Sequence, residues 1–310
     1  MKMRLRWMIP ALLVLGLIAS LPAARAKDDK NGPTVPVRTL VTITSKNGPP
    51  QITKADVLVQ QNKVRLVVTD LQPATGQAGG LQLAIVIDDS TNSSLDNQLK
   101  DIANFIRGLD SSAKVGIFYA QNGTVQVAQD FTADHDRAAK ALRIPLGRGA
   151  AYSSIYLSVM DLMKRWPQTQ DRREMFVIAD GIDRFRGDPF SPDIAATYTA
   201  AQKSGIMLHT IFANGMGPHG RNQFRINWGQ SNLAQITDQT GGESYFQGSY
   251  TPVDFAPFLA QFDKVLSSQY WVSYLAHAKS KPGLQSIKFS TELPGVDISA
   301  PDQVWIPAAQ

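Results

Sequence analysis

The segment Leu83–Ser94 reads LAIVIDDSTNSS, an apolar run without alternation that ends in two aspartates and a cluster of short polar side chains. Such a run is the pattern of a strand buried on both faces, and open α/β sheets place ligands at the carboxyl ends of such strands. Asp88, Asp89, Ser90, Asn92 and Ser93 supply oxygen donors there, with no sulfur or imidazole. That donor set suits a hard divalent cation, Mg²⁺, Mn²⁺ or Ca²⁺. It equally suits the capping of a helix starting near Leu95. A second acidic turn, Asp180-Gly181-Ile182-Asp183, follows the apolar run Met175–Ala179. If the two strands are neighbours, Asp88 and Asp180 share one crevice, where two carboxylates repel unless protonated or bridged by a cation. Taken alone, Asp180-Gly181 is also simply a tight turn. A third segment, Gly147–Ser154 (GRGAAYSS), is a glycine-bearing loop entering a helix, whose amides could hold an anion or shape a cation site. Arg148, Arg184 and Arg186 would place positive charge on the rim.

The elements needed to position these groups follow from periodicity. Strands are expected at Gln82–Asp88, Lys114–Tyr119, Val125–Asp130, Met175–Ala179, Met207–Phe212 and Ser244–Phe246. Helices are expected at Leu95–Gly108, Asp134–Leu142, Tyr152–Trp166, Asp193–Ser204, Asn232–Thr240 and Pro252–Ser267. Repeated βα units of this kind give an α/β fold, a doubly wound and mostly parallel sheet covered on both faces. The domain organisation reads as a β segment and linker over 27–80, an α/β domain over 81–267, and a C-terminal β segment over 268–310. Before the α/β region, Val35–Thr44, Ala55–Gln60 and Lys63–Thr69 read as strands, with Gln72–Gly80 as a linker. After it come Tyr270–Ala276, Ser286–Thr291, Val296–Ser299 and Gln303–Ile306. These terminal strands are expected to pack together as a small flanking β assembly.

Residues 1–26 have the pattern of a cleaved export signal: Lys2, Arg4 and Arg6, the apolar stretch Met8–Leu21, and Ala24-Arg25-Ala26. The apolar stretch is shorter than the roughly 20 residues a membrane-spanning helix needs, so an uncleaved anchor is the lesser reading. The expected destination is periplasm, cell surface or medium. Removal takes the basic count from 31 to 27 against 26 acidic residues, so the net charge falls from +5 to +1. No basic footprint for nucleic acid survives. The absence of cysteine excludes thiol catalysis and cysteine-ligated metals, and the four histidines show no paired ligand spacing. Gly215–Gly220 matches G-x-G-x-x-G, but Pro218 and the polar run Asn222–Asn227 oppose the helix start that a dinucleotide site requires. Asn214–Gln230 instead reads as a long surface loop offering Phe224 and Trp228 to a partner. No nucleophile elbow or placed base appears, so no enzyme activity is expected.

Asp88-x-Ser90-x-Asn92, then Gly147–Tyr152, then Ala179-Asp180-Gly181, together resemble the von Willebrand factor A domain. Leu208–Phe212 and Leu233–Gly242 before Ser244-Tyr245-Phe246 extend the resemblance over about Leu81–Ser267, and the flanking strands resemble a bacterial exported subgroup. The resemblance implies a noncovalent protein-binding or adhesion module with a metal-ion-dependent adhesion site, its cation completed by an acidic side chain of the partner. Residue by residue, Asp88, Ser90 and Asp180 match that site, and Asn92 replaces a serine. Asp180 would act through water, and Asp89 and Asp183 would support the ligands. The family's threonine falls on Gly149 or Ala150, which carry no side-chain oxygen. The site is therefore expected to be partly degenerate, and a metal-independent scaffold or interaction module is the alternative.

Overall fold

The computed structural model describes residues 33–46, 48, 50–75, 79–147, 153–187, 190–216 and 222–309. The export signal, Arg148–Tyr152 with its Gly149 and Ala150, and Gly217–Gly220 lie outside the described residues.

In chain order the elements are β1 (Thr34–Ser45), β2 (Leu58–Gln61), β3 (Val64–Arg65), β4 (Val67–Pro73), β5 (Leu81–Asp88), α1 (Asp96–Gly108), β6 (Lys114–Gln121) and β7 (Thr124–Thr132). Then come α2 (His135–Lys140), α3 (Ile155–Arg165), β8 (Arg172–Ala179), α4 (Pro192–Ser204), β9 (Ile206–Phe212), α5 (Gln223–Thr240), β10 (Ser244–Tyr245) and α6 (Ala256–Ser267). β11 (Gln269–His277), β12 (Gly283–Ser290), β13 (Val296–Ser299) and β14 (Gln303–Ile306) close the chain.

The central sheet has the order β10-β9-β8-β5-β6-β7. All its pairings are parallel except that of β7, which runs antiparallel to β6 at the edge. Every residue of β5 is buried, as its unalternating sequence requires of a strand covered on both faces. Leu83, Ile85 and Ile87 point to one face, where α1 and α6 bring Ile102, Ile106, Leu259 and Phe262. Ala84 and Val86 point to the other, against Tyr156 and Val159 of α3, Ile194 of α4, and Leu233 and Ile236 of α5. This is the expected doubly wound α/β sheet, and its topology makes β5 and β8 hydrogen-bonded neighbours.

The terminal strands form two further four-stranded sheets, β13-β1-β11-β4 and β14-β12-β2-β3. They enclose a separate apolar core that includes Val41, Ile43, Val272, Tyr274, Ile287 and Phe289. Each sheet takes two strands from before the α/β region and two from after it, alternating in the first and grouped in the second, the flanking β assembly expected from the sequence. The chain leaves it at Pro73 and returns directly opposite, with Tyr270 paired to Pro73.

Two readings depart from expectation. The single strand expected over Lys63–Thr69 is instead β3 and β4, which lie in different sheets with Leu66 between them. Helix α5 begins at Gln223, nine residues before the expected Asn232, so the closing part of the surface loop read over Asn214–Gln230 is helix. Asn222 caps it, its side chain accepting from the Arg225 amide. The first turns bury only Ile226 and Gly229, which leaves too little apolar periodicity to read. Gly229 has a specific role: a Cβ there would collide with the Asp180 carbonyl oxygen, so the missing side chain is what lets α5 lie against the acidic turn after β8.

The Gly229→Ala variant should lose about 1–3 kcal/mol, the usual cost of overpacking, read from the urea midpoint. Gly108→Ala adds a Cβ in open space at the end of α1 and should be neutral or slightly stabilising. Equal midpoints for the two variants would remove Gly229 as a packing constraint.

Candidate functional site

Asp88 closes β5, and Asp180 follows the last residue of the adjacent β8. Both carboxylates are buried, Asp88 at 1 % and Asp180 at 4 % exposure. The Asp88 Oδ1 accepts from the Ser90 amide at 2.8 Å, and its carbonyl accepts from the amide and hydroxyl of Thr91 at 3.0 and 2.7 Å. This turn is laced to the segment after β9: the Asn92 amide donates to the Asn214 carbonyl at 2.9 Å, and the Met216 amide to the Ser90 carbonyl at 3.2 Å. Asn214 in turn binds the loop after β10, donating to the Ser249 carbonyl at 3.1 Å and accepting from the Thr251 hydroxyl at 3.1 Å. Three βα loops are thus fastened together at one edge.

The structure brings Asp88, Ser90 and Asp180 to that edge and gives each a distinct state. Asp88 Oδ2 and Ser90 Oγ are buried and have no hydrogen-bond partner among the described residues. Burial raises the Asp88 carboxyl to about 6; Arg184 opposes this shift and the neighbouring Asp180 adds to it. Asn92 does not join them through its side chain: its Oδ1 accepts from the Ser94 amide at 3.0 Å, the local turn that competes with ligation. Asp180 is occupied as well. Its Oδ1 accepts from the Ile182 amide at 3.0 Å and from Arg184 Nη1 at 3.3 Å, and its Oδ2 is ion-paired with Arg184 Nη2. The Arg184 side chain is only 12 % exposed, so it belongs to the interior of the site and not to the rim.

The remaining sequence candidates have structural employment. Asp89, read as a support for a cation, is held by both Arg143 nitrogens at 2.7 and 2.8 Å and by the Leu146 amide at 3.1 Å. Asp183 accepts from the Ser191 hydroxyl at 2.6 Å and from the amides of Phe185 and Arg186, which fixes the turn carrying Arg184. Ser154 caps α3, and the Ser153 carbonyl receives the amides of Arg184 and Phe185. Arg186 alone of the described rim arginines stays outside, 47 % exposed and paired with Asp193 at 3.3 Å. Arg143 was not legible as a site residue; its signal, an arginine 54 residues from its carboxylate, exists only in the fold.

Asp88 Oδ2 and Ser90 Oγ are oxygens of the kind a hard cation takes. The other two donors are engaged, and Arg184 already brings a fixed positive charge. Among the described residues no three Asp, Glu or His side chains converge on a common point. With Arg184 docked, this set does not fit a divalent ion.

No family model matches the chain, and no curated protein matches it. Among solved structures it is similar to the von Willebrand factor type A protein from Catenulispora acidiphila, at 9 % identity over 91 % of this chain and 75 % of that one, TM-score 0.44. It is similar to BatB from Bacteroides thetaiotaomicron, at 15 % identity over 61 % of this chain and 98 % of that one, TM-score 0.45. It is also similar to the manganese-loaded TRAP protein of Plasmodium vivax, at 11 % identity over 78 % of this chain and 98 % of that one, TM-score 0.43.

Asp88 gives this edge a pH signature. Its folded value, about 6, lies above the unfolded value near 3.9, so the native state holds the proton more tightly. That contribution is complete below about pH 4 and is lost as the pH rises through about 6. Asp88→Asn removes it. In chelator, the stability of the variant relative to the native chain should therefore grow between pH 4 and pH 7, by on the order of 2 kcal/mol. Urea unfolding of both chains at several pH values measures this, and parallel profiles would show that Asp88 ionises without penalty.

Proposed function

We propose that this chain is a noncovalent protein-binding module that meets its partner at the carboxyl edge of the central sheet. The observation that carries the reading is apolar exposure on the loops of that edge and on the first turn of α5. Leu146, Phe185, Phe190, Met216, Phe224 and Tyr250 are all exposed there, Phe224 at 77 % and Tyr250 at 74 %. Aromatic side chains and methionine are the residues enriched in protein interfaces, and loops held by a rigid sheet are where binding residues concentrate. Beneath them the charged groups are paired, Asp89 with Arg143 and Asp180 with Arg184. That arrangement suits a stable platform better than an acid–base pair, so the reading is a binder without catalysis. The N-terminal segment supports export, with the partner met outside the cytoplasm.

A cation-assisted form of the same module is the second reading, favoured by the unpartnered Asp88 Oδ2 and Ser90 Oγ. With Arg184 displaced from Asp180, those two residues would hold Mg²⁺, Mn²⁺ or Ca²⁺, with Asn92 and Asp180 reached through water and an acidic partner side chain completing the shell.

Photoreactive residues introduced at 224, 250 and 288 in the full chain, expressed in its host, test the edge directly. Positions 224 and 250 should trap one and the same protein, which position 288, exposed on β12, should not. For that protein, Phe224→Ser with Tyr250→Ser should raise Kd at least about tenfold, the effect of losing roughly 1.4 kcal/mol of contact. Equal trapping from 288, or unchanged affinity, would sink the edge as the contact surface. Trapping that disappears in chelator would select the cation-assisted form.

A further inference from the structure

We infer that the guanidinium of Arg184 is the resident cation of this site, taking the charge-balancing place a divalent ion would hold beside Asp88 and Asp180.

The geometry is built for this side chain. Arg184 makes a two-point contact with Asp180, the fork-on-carboxylate pairing that Lys cannot reproduce. Its backbone is held by the Ser153 carbonyl at 3.0 Å. The turn that presents it is fixed by Asp183, and the Gly187 amide closes on the Asp183 carbonyl at 2.9 Å. Gly215, from the segment after β9, covers the pair. A Cβ at 215 would collide with both Asp180 Oδ2 and Arg184 Nη2. The guanidinium therefore sits in a fitted recess formed by three loops.

Charge counting points the same way. Asp89 is neutralised by Arg143, leaving Asp88 and Asp180 to share one guanidinium that interacts favourably with both. One negative charge remains. Adding a divalent ion would turn the deficit into an excess, with the ion beside a cation that cannot release its proton. A divalent ion could enter only where Arg184 has left. The site therefore needs no metal, and a partner needs no carboxylate to complete a coordination shell. The latter consequence rests on the protein-binding reading; the former does not.

Mn²⁺ is the probe. Chelator-stripped native chain, Arg184→Gln, Arg184→Lys and the double variant Asp88→Asn with Arg184→Gln are titrated with MnCl₂, following bound ion by electron paramagnetic resonance and the thermal midpoint. The native chain and Arg184→Lys should show no saturable Mn²⁺ site and no midpoint shift. Arg184→Gln should gain a site at least tenfold tighter than any in the native chain, and Mn²⁺ should raise its midpoint. The double variant should lose that site. Native chain binding Mn²⁺ as tightly as Arg184→Gln would overturn the inference, and so would a folded Arg184→Gln that ignores the ion. Should Arg184→Gln not fold with or without Mn²⁺, the native chain decides alone: its Ser90 and Thr91 amide resonances should stay unbroadened by Mn²⁺, and selective broadening there would overturn the assignment. Neither result touches the cross-links from 224 and 250, so the two readings fall separately.

Discussion

Two carboxylates buried side by side at the ends of adjacent parallel strands cannot both stay charged without a cation, and the edge of this sheet is organised around that constraint. Parallel pairing of β5 with β8 puts Asp88 and Asp180 together, and two-sided coverage of the sheet takes both out of water. Burial favours the neutral form of a carboxyl group. Arg184 supplies the opposite charge, and much of the surrounding backbone serves to hold it. Asp183 fixes its turn, Ser153 holds its amide, and Gly215 leaves room for it. Removing one partner of such a pair leaves an uncompensated buried charge, which is why these pairs constrain a structure more than they stabilise it.

A second buried network does comparable work away from the candidate site. Glu174 on β8 and His209 on β9 are fully buried and lie 2.8 Å apart. The Glu243 amide donates to His209 Nδ1 at 3.1 Å, so the proton resides on Nε2 and His209 donates to Glu174. The other Glu174 oxygen accepts from Gln269 at 2.8 Å, and Gln269 accepts from Arg172. Gln269 is the first residue of β11, the strand that re-enters the β assembly opposite the point of departure. Polar groups that satisfy one another in this way allow one register and few alternatives. The network therefore fixes how the α/β sheet joins the strand that follows it.

The apolar loops at the carboxyl edge gain their meaning from this rigidity. Exposed Phe224 lies in the first turn of α5 and exposed Tyr250 in the loop after β10. They share a surface because Asn214 ties the segments after β9 and β10 together and Gln230 of α5 donates to the Gly248 carbonyl at 2.6 Å. A binding surface assembled from loops costs less to order when the loops are already cross-braced.

The parallel sheet is written in the chain's residue order, because strands covered on both faces must be apolar throughout, and Leu83–Ile87 and Met175–Ala179 are so. The same order also sets Asp88 and Asp180 at strand ends, because the polar residues begin where those runs stop. It did not reveal that Arg184 faces inward. An arginine four residues after an aspartate in a non-helical turn has no periodicity that states its direction, and solvent exposure is the ordinary expectation for it. Nor did it give the early start of α5, where Gly229 reads as a helix weakness and is in fact the space that lets the helix reach Asp180. The pairing of Asp89 with Arg143 and of Glu174 with Gln269 joins residues far apart along the chain. These pairings exist only in the packed molecule, because which charge neutralises which depends on the distances left after the sheet, helices and loops have come together.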